Sequence, residues 1–164
     1  MKRGVAVAIR KIRTNGDTVL REKVLEVKNI SPHILRILDD MKDTLVDAEG
    51  LGLAAPQVGI SKAILVARAG EADFLELINP VIIKYLGEET AVEGCLSFPG
   101  VLGDVPRATE VVVTGLDREG NKITMQAKDL MARILQHEID HLNGVLFVDK
   151  VIKFISPDEM EESG

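Results

Sequence analysis

The stretch LQHEIDHLNG, residues 135–144, places two histidines four residues apart with a glutamate directly after the first. In an α-helix, residues i and i+4 lie on the same face, so His137 and His141 can present two nitrogens to one ion. Glu138 is rotated by about 100° from His137 on such a helix. That position beside the ion suits a general base or acid acting on a metal-activated water. The stretch therefore predicts a helix that carries a metal site.

Around this helix the sequence predicts an α+β fold with antiparallel strands and an N-terminal helix. Ser31 followed by Pro32 is typical of a helix start, and apolar residues at helical spacing extend that helix to about Asp47. The second helix is predicted to begin with Asp129 as its N-cap and to end near Gly144. Leu130 and Ile134 continue the histidine stripe, which predicts that both imidazoles face the core. Alternating or continuous apolar runs predict five strands, at residues 62–68, 74–78, 81–85, 110–117 and 122–128.

The composition is that of an ordinary globular chain of 164 residues, with 46% hydrophobic and 28% charged residues. Aromatic residues make up 3% and the formal net charge is −6, so we expect no stable nucleic-acid binding. No apolar run is long enough to cross a membrane, and we expect no membrane association. A single cysteine excludes an internal disulfide and favours the cytoplasm. One domain over residues 1–164 is predicted, with the acidic residues 156–164 as a mobile tail.

The two histidines need a third protein ligand, and three candidates exist. An extended HExxHxxGxxH site fails because Phe147 stands where its last histidine belongs. Glu159 lies downstream but in the acidic tail, where no helical pattern directs it inward. Cys95 is the chain's one thiol, and a thiolate with two imidazoles suits a divalent transition metal. The prediction is therefore a site of Cys95 and two histidines, with one coordination position left for solvent.

Three stretches in this order resemble the three motifs of bacterial peptide deformylase: GLGLAAPQ (50–57), EGCLS (93–97) and QHEIDH (136–141). The resemblance covers nearly the whole chain except the acidic tail. It implies a hydrolase that removes the formyl group from the N-terminal formyl-methionine of nascent polypeptides and releases formate. It also implies one divalent metal ion, with ferrous iron expected and zinc, nickel or cobalt as alternatives.

The resemblance assigns roles to named residues. It implies that three side chains hold the ion: Cys95, His137 and His141. Glu138 would take up a proton from water and deliver it to the departing amine. The side-chain amide of Gln57 and the backbone N–H of Leu96 would stabilise the oxyanion.

The resemblance also implies how a peptide binds. Gly50 and Gly52 would allow the substrate to approach the backbone and pair as an added strand, with Leu51 and Gly94 as its backbone partners. Leu51 and Leu96 are the expected walls for the methionine side chain. Many relatives have an arginine where this chain has Leu102, so a contribution of that arginine is not expected here. The chain ends in DEMEESG rather than in a basic helix, which argues against ribosome docking by that route, and we expect a monomer.

Two other functions remain as alternatives. A zincin-like metallopeptidase would need a downstream ligand and would tolerate the loss of Cys95. A non-catalytic metal-binding protein of the same fold would not need Gln57 or Glu138. Beneath the cysteine turn, Glu93 and Arg107 form either a supporting ion pair or two independent surface charges.

Overall fold

The computed structural model describes residues 8–70, 73–156 and 158–159, and within these residues two helices pack against two antiparallel sheets. The helices are α1 (Pro32–Asp47) and α2 (Asp129–Leu142). The strands are β1 (Gly52–Ala54), β2 (Ile64–Ala67), β3 (Leu75–Leu86), β4 (Glu89–Cys95), β5 (Phe98–Arg107), β6 (Glu110–Leu116), β7 (Lys122–Lys128) and β8 (Lys153–Ile155). One sheet has the order β1-β2-β3-β6-β7 and the other β4-β5-β8. The predicted α+β fold is confirmed.

Helices on both sides of β2 explain why that strand is a continuous apolar run. Ile64 and Val66 pack in the cluster that contains the apolar face of α1. Leu65 and Ala67 point the other way, into the cluster beneath α2. Successive side chains of a strand alternate between faces, so a strand covered on both faces needs apolar residues at every position.

The helix α1 begins as the sequence predicts. The Ser31 hydroxyl accepts a hydrogen bond from the backbone N–H of Ile34, and Pro32 takes the first helical position. At α2 the prediction of Asp129 as the N-cap is wrong. Lys128 takes the cap position without a side-chain hydrogen bond, and Asp129 has a positive φ of 51° with its N–H bonded to the Thr109 carbonyl. A contact with the turn between β5 and β6 replaces the local cap.

The strands predicted at residues 74–78 and 81–85 are one strand, β3. Asn79 and Pro80 interrupt the pairing with β6 through a register shift between Ile78 and Val81, but they do not end the strand. Asn79 adopts a φ of 53°, and its side chain bonds both the N–H and the carbonyl of Val27 at 2.8 Å. The turn-forming pair thus produces a β-bulge that a neighbouring segment holds in place.

The sheet β4-β5-β8 was not predicted, although it carries one part of the site. Its strands contain glycines, prolines and charged residues, which obscure the alternating pattern of a strand. Beneath it lies a small core of five buried residues: Leu20, Phe98, Val105, Leu146 and Phe147. This core ties the end of β4 to the segment that follows α2.

Two further predictions concern the ends of the chain and the membrane. The predicted mobility of residues 156–164 falls mostly outside the described residues and stays a prediction. Among the residues that are described, no helix has the length and apolar character needed to cross a bilayer.

Candidate metal centre and active site

The C-terminal half of α2 and the end of β4 bring two imidazoles and a thiol together. The donor atoms of Cys95, His137 and His141 all lie within 4.8 Å of one another. Cys95 Sγ is 3.4 Å from His141 Nε2, and the two imidazole centroids are 5.1 Å apart. Both histidines are buried, whereas the cysteine is partly accessible. The group is therefore open to solvent on the thiol side.

Local structure explains why the thiol points at the helix. Cys95 pairs with Phe98 across a two-residue turn, and the β4–β5 register shifts between Glu93 and Cys95. Such a shift turns a strand and redirects its side chains. On the far side, the His137 ring stacks on Phe147 with 5.9 Å between centroids, and Phe147 meets Phe98 edge-on at 5.6 Å. The two phenyl rings close the inner side of the site with apolar surface.

A carboxylate fixes the orientation of His137. Its Nδ1 lies 3.2 Å from Glu93 Oε2. A neutral imidazole that donates from Nδ1 to a carboxylate keeps its lone pair on Nε2, the nitrogen available to an ion. The contact therefore selects the tautomer that a metal ligand needs.

Glu93 is itself held by two guanidinium groups. Arg107 donates from Nε and Nη2 at 2.7 and 3.0 Å, and Arg133 donates from Nη1 at 3.0 Å. Burial opposes the charge on Glu93, but hydrogen bonds from His137 and Arg107 outweigh it and lower the pKa of Glu93 to about 2. Arg107 also bonds Asp140 at 2.7 Å. Of the two readings of Glu93 and Arg107, the buried ion pair is the observed one.

The charges around the two histidines favour a cation between them. Burial lowers the pKa of His137, but the Glu138 carboxylate and hydrogen bonds to Cys95 and Glu93 raise it to about 10. Burial lowers the pKa of His141 well below its ordinary value, and the positive charges of His137 and Arg107 add to that effect. The site therefore accommodates one positive charge, on His137, but disfavours a second proton on His141. A divalent ion held by a thiolate and two imidazoles meets both conditions, so the residues fit a transition metal.

Glu138 lies beside the three donor atoms with one oxygen free of protein partners. Its Oε1 is buried and, within the described part of the chain, accepts no hydrogen bond. Burial raises the pKa of Glu138 to about 7, against the lowering effect of His137. A carboxyl group that titrates near neutrality can both accept and deliver a proton. A buried, unpaired carboxylate oxygen is also a place where a polar reactant is expected.

Gly52 makes the space in which Glu138 sits. A Cβ at position 52 would lie 2.5 Å from Glu138 Oε2 and 2.8 Å from Ile134 Cγ2. Both distances are far below van der Waals contact, so β1 can approach α2 this closely only with glycine at this position.

The amide of Gln57 is oriented at both ends. Its Oε1 accepts a hydrogen bond from the Ala54 N–H at 2.9 Å. Its Nε2 donates to Ser97 Oγ at 3.2 Å and lies 3.5 Å from Cys95 Sγ. Leu96 stands between Cys95 and Ser97 in the turn from β4 to β5. The N–H groups of the amide are thus held next to the thiol.

A cleft of about 620 Å³ opens onto this group of residues. One wall comes from α2 and includes Leu130, Arg133 and Ile134. The opposite wall comes from β4 and the turn after it. The cleft is also lined by the residues predicted to bind a peptide, which are Gly50, Leu51, Gly52, Gly94 and Leu96. Leu102 lines the cleft as well. Leu51 and Leu130 are exposed, with 42% and 49% of their surfaces accessible, as expected for apolar residues around an open cleft.

The structure brings together most of the residues singled out from the sequence. Phe147, which stands where a third histidine of an HExxHxxGxxH site would be, stacks on the His137 ring. Glu159, the other downstream candidate, is not part of the group formed by Cys95 and the two histidines. Sequence reasoning missed Ser97 and Arg133. Arg133 lies one helical turn before His137, and that spacing is a signal that places it on the site's face. No sequence signal points to the contact between Ser97 and Gln57.

Comparisons with known proteins agree with this geometry. A family model described as polypeptide deformylase matches residues 9–155. A peptide deformylase of Acetivibrio thermocellus is 52% identical over 155 residues, which cover 94% of this chain and 91% of that protein. One of Caldanaerobacter subterraneus is 54% identical over 155 residues, covering 94% of this chain and 97% of its own length.

Solved structures give the same answer for the fold. A peptide deformylase of Legionella pneumophila has a TM-score of 0.85 at 40% identity, covering 95% of this chain and 91% of its own. A peptide deformylase of Synechococcus elongatus, solved in complex with actinonin, also has a TM-score of 0.85, at 42% identity over 99% of this chain and 87% of its own. The chain therefore belongs to the peptide deformylase family of enzymes.

Proposed function

We propose that this chain hydrolyses the formyl group from N-terminal formyl-methionine of nascent polypeptides and releases formate. The observation that carries the proposal is a buried carboxyl, Glu138, with one oxygen that has no protein partner among the described residues, next to a group of one thiol and two imidazoles in an apolar cleft. The mostly apolar lining of the cleft suits an apolar side chain, and the carboxyl suits proton transfer during amide hydrolysis.

Cys95, His137 and His141 would hold one divalent ion, which we propose to be ferrous iron, with zinc, nickel or cobalt as alternatives. When bound, the ion supplies Lewis acidity, which lowers the pKa of water and polarises the formyl oxygen. Glu138 accepts a proton as the oxygen of water bonds to the formyl carbon. It then delivers that proton to the amine nitrogen as the carbon–nitrogen bond breaks. The products are formate and a peptide with a free amino terminus.

Negative charge develops on the formyl oxygen during this reaction. The Nε2 group of Gln57 is held toward the thiol by the contacts of its amide with Ala54 and Ser97, so it is placed to donate to that oxygen in place of Cys95 Sγ. The backbone N–H of Leu96 is the second proposed donor. Because the Gln57 amide is oriented before the substrate arrives, it favours the charged intermediate over the neutral amide.

Two unpaired strand edges flank the cleft and support the binding of an extended peptide. In the described part of the chain, β1 pairs with β2 alone and β4 pairs with β5 alone. Leu51, which precedes β1, and Gly94 in β4 both line the cleft. Free edges of this kind recruit an added strand through main-chain hydrogen bonds. We propose that the substrate backbone pairs at Leu51 and Gly94, with Gly50 and Gly52 allowing the close approach.

The zincin-like alternative receives less support. Its downstream ligand position is Phe147, which stacks on His137, and Glu159 does not join the donor group. A non-catalytic metal protein would gain nothing from the unpaired oxygen of Glu138. For the wider setting we propose a cytoplasmic monomer that acts on emerging chains. One domain over residues 1–164 remains our proposal for the chain's organisation.

The test is formate release from a short formyl-Met peptide, with protein purified without oxygen and loaded with iron or nickel. Three variants would be run beside the parent: Cys95→Ser, Glu138→Gln and His33→Ala. His33 is exposed and outside the site, so its variant controls for loss of a histidine. We expect parent and His33→Ala to turn over, Glu138→Gln to keep its metal without turnover, and Cys95→Ser to lose both. No formate from folded parent with one metal bound would overturn the proposal.

A further inference from the structure

The two walls of the cleft belong to different layers of the fold. The α2 wall packs against the five-stranded sheet, whereas the β4 wall belongs to the three-stranded sheet. No strand pairing joins these two sheets among the described residues. The width of the cleft therefore depends on side chains that cross from α2 to the β4–β5 hairpin.

Arg133 makes such a crossing. It lies on α2, lines the cleft, and sends its guanidinium to three acceptors on the hairpin. Nη1 bonds Glu93 Oε1 at 3.0 Å and the Val105 carbonyl at 2.9 Å, and Nη2 bonds the Glu89 carbonyl at 2.7 Å. Two of these acceptors are main-chain atoms. Because the planar guanidinium bonds backbone carbonyls of both β4 and β5, it fixes the position of the hairpin backbone and not only that of one side chain.

Arg107 also bonds Glu93 but serves another purpose. Its side chain is 2% exposed, and it does not line the cleft. Arg107 also crosses to α2 through its bond to Asp140, as Gln136 of α2 crosses through its bonds to the Ala108 backbone, but neither side chain lines the cleft. Arg107 thus supports the carboxylate behind His137, while Arg133 is the arginine in the cleft wall.

From this arrangement we infer that Arg133 is a positioning residue that holds the α2 and β4 walls at a fixed separation and so determines which N-terminal side chain the cleft accepts. The inference rests on the proposed function and deepens it. The guanidinium is engaged by protein acceptors, so the surface left for a ligand is the apolar stem of the side chain. If the walls are held at the separation that fits a methionine side chain, a smaller side chain leaves contacts unmade and a bulkier one must force the walls apart. One methylene in such a pocket changes kcat/KM by about 10-fold or more.

The test compares Arg133→Met, Arg133→Lys and Arg21→Met with the parent. Met keeps the length and loses every donor, whereas Lys keeps the stem and one donor group. Arg21 forms an exposed pair with Asp149 at 2.6 Å, away from the cleft, and controls for loss of an ion pair. For each protein, kcat and KM would be measured on tripeptides beginning with formyl-Met, formyl-Ala and formyl-Phe. Calorimetric binding of Met-Ala-Ser and Phe-Ala-Ser gives the same selectivity without turnover.

For Arg133→Met we expect KM for the formyl-Met peptide to rise by about 10-fold with kcat within about threefold. The preference for Met over Phe should fall at least about fivefold in both turnover and binding. The KM and the Met-over-Phe preference of Arg133→Lys should lie between those of the parent and of Arg133→Met, and those of Arg21→Met should match the parent.

If Arg133→Met does not fold, an Arg133→Lys variant with the parent's selectivity overturns the inference. A folded Arg133→Met variant whose kcat falls while its KM and selectivity are unchanged also overturns the inference, because that result assigns Arg133 to catalysis. A parent that binds Met-Ala-Ser selectively but releases no formate would refute the proposed function while leaving the binding test of Arg133 intact.

Discussion

Arg107→Met removes the guanidinium that holds Glu93 beneath the proposed metal ligands, and we expect it to lower the free energy of unfolding by about 3 kcal/mol at pH 7. The side chains of Arg107 and Glu93 are 2% and 5% exposed, and two hydrogen bonds of 2.7 and 3.0 Å join them. Removing one partner of a buried pair typically costs about 3–5 kcal/mol because the other charge is left without compensation. Here Arg133 and His137 still reach Glu93, which places the expected loss at the low end.

The loss should depend on pH in a defined direction. The pKa of Glu93 is lowered from 4.5 to about 2 in the folded protein. A group with a lowered folded pKa contributes stability that is present above its unfolded pKa and is lost as pH falls through the folded one. Against the effect of burial, the hydrogen bond from His137 lowers the pKa of Glu93 most, and the hydrogen bond and charge of Arg107 lower it further. The difference between parent and Arg107→Met should therefore be full above about pH 5 and shrink as the pH falls toward 2.

The assay is urea unfolding followed by circular dichroism at pH 7, 5 and 3, with a chelator present so that metal release does not contribute. Arg107→Lys is the matched control, because it keeps the charge but loses the two-point contact. Adding Glu93→Gln to Arg107→Met should restore part of the loss, since the buried charge is then gone. A difference under about 1 kcal/mol at pH 7, or one that is the same at pH 7 and pH 3, would refute this account of the pair.

Three other substitutions test the reacting groups. Gly52→Ala places a Cβ 2.5 Å from Glu138 Oε2, and we expect kcat to fall about 100-fold while metal content, measured by atomic absorption, is unchanged. Ser97→Ala removes the acceptor 3.2 Å from Gln57 Nε2 and should lower kcat about fivefold. In a Gln57→Ala background the same change should have no further effect, and an equal effect in both backgrounds would mean that Ser97 does not act through Gln57. Cys95→Ser should weaken metal binding about 100-fold or more, measured by competition with a chromogenic chelator, because a serine hydroxyl is a poor ligand for a transition metal.

The sequence was sufficient for those parts of the site that depend on one element at a time. Helical spacing alone predicts that His137 and His141 share a face, because the geometry of one helix decides it. The limits of α1 and β7 were also readable, since local caps and alternation define them. Cys95 could be selected as a third donor by its chemistry, although nothing local places it near α2.

What could not be predicted depends on contacts between distant segments. Asn79 and Pro80 are typical of a turn, yet the hydrogen bonds between Asn79 and Val27 keep β3 continuous. Asp129 is a good N-cap by type, but the Thr109 carbonyl binds its N–H and sets its backbone. In each case a tertiary hydrogen bond outweighs the local preference, which is of the order of 1 kcal/mol.

Glu93 connects the proposed metal ligands to the wall of the cleft that we propose selects the substrate. Its carboxylate orients His137, is held by Arg107 behind the ligands, and also receives Arg133 from the cleft wall. Loss of Arg107 should therefore act on stability and on the ligand, and loss of Arg133 on the shape of the cleft. Glu93→Gln removes the common acceptor charge, so it should weaken metal binding and reduce selectivity for methionine together. If metal affinity fell with selectivity unchanged, the two arginines would be acting independently, and the cleft would be held by the bonds from Arg133 to the Val105 and Glu89 carbonyls alone.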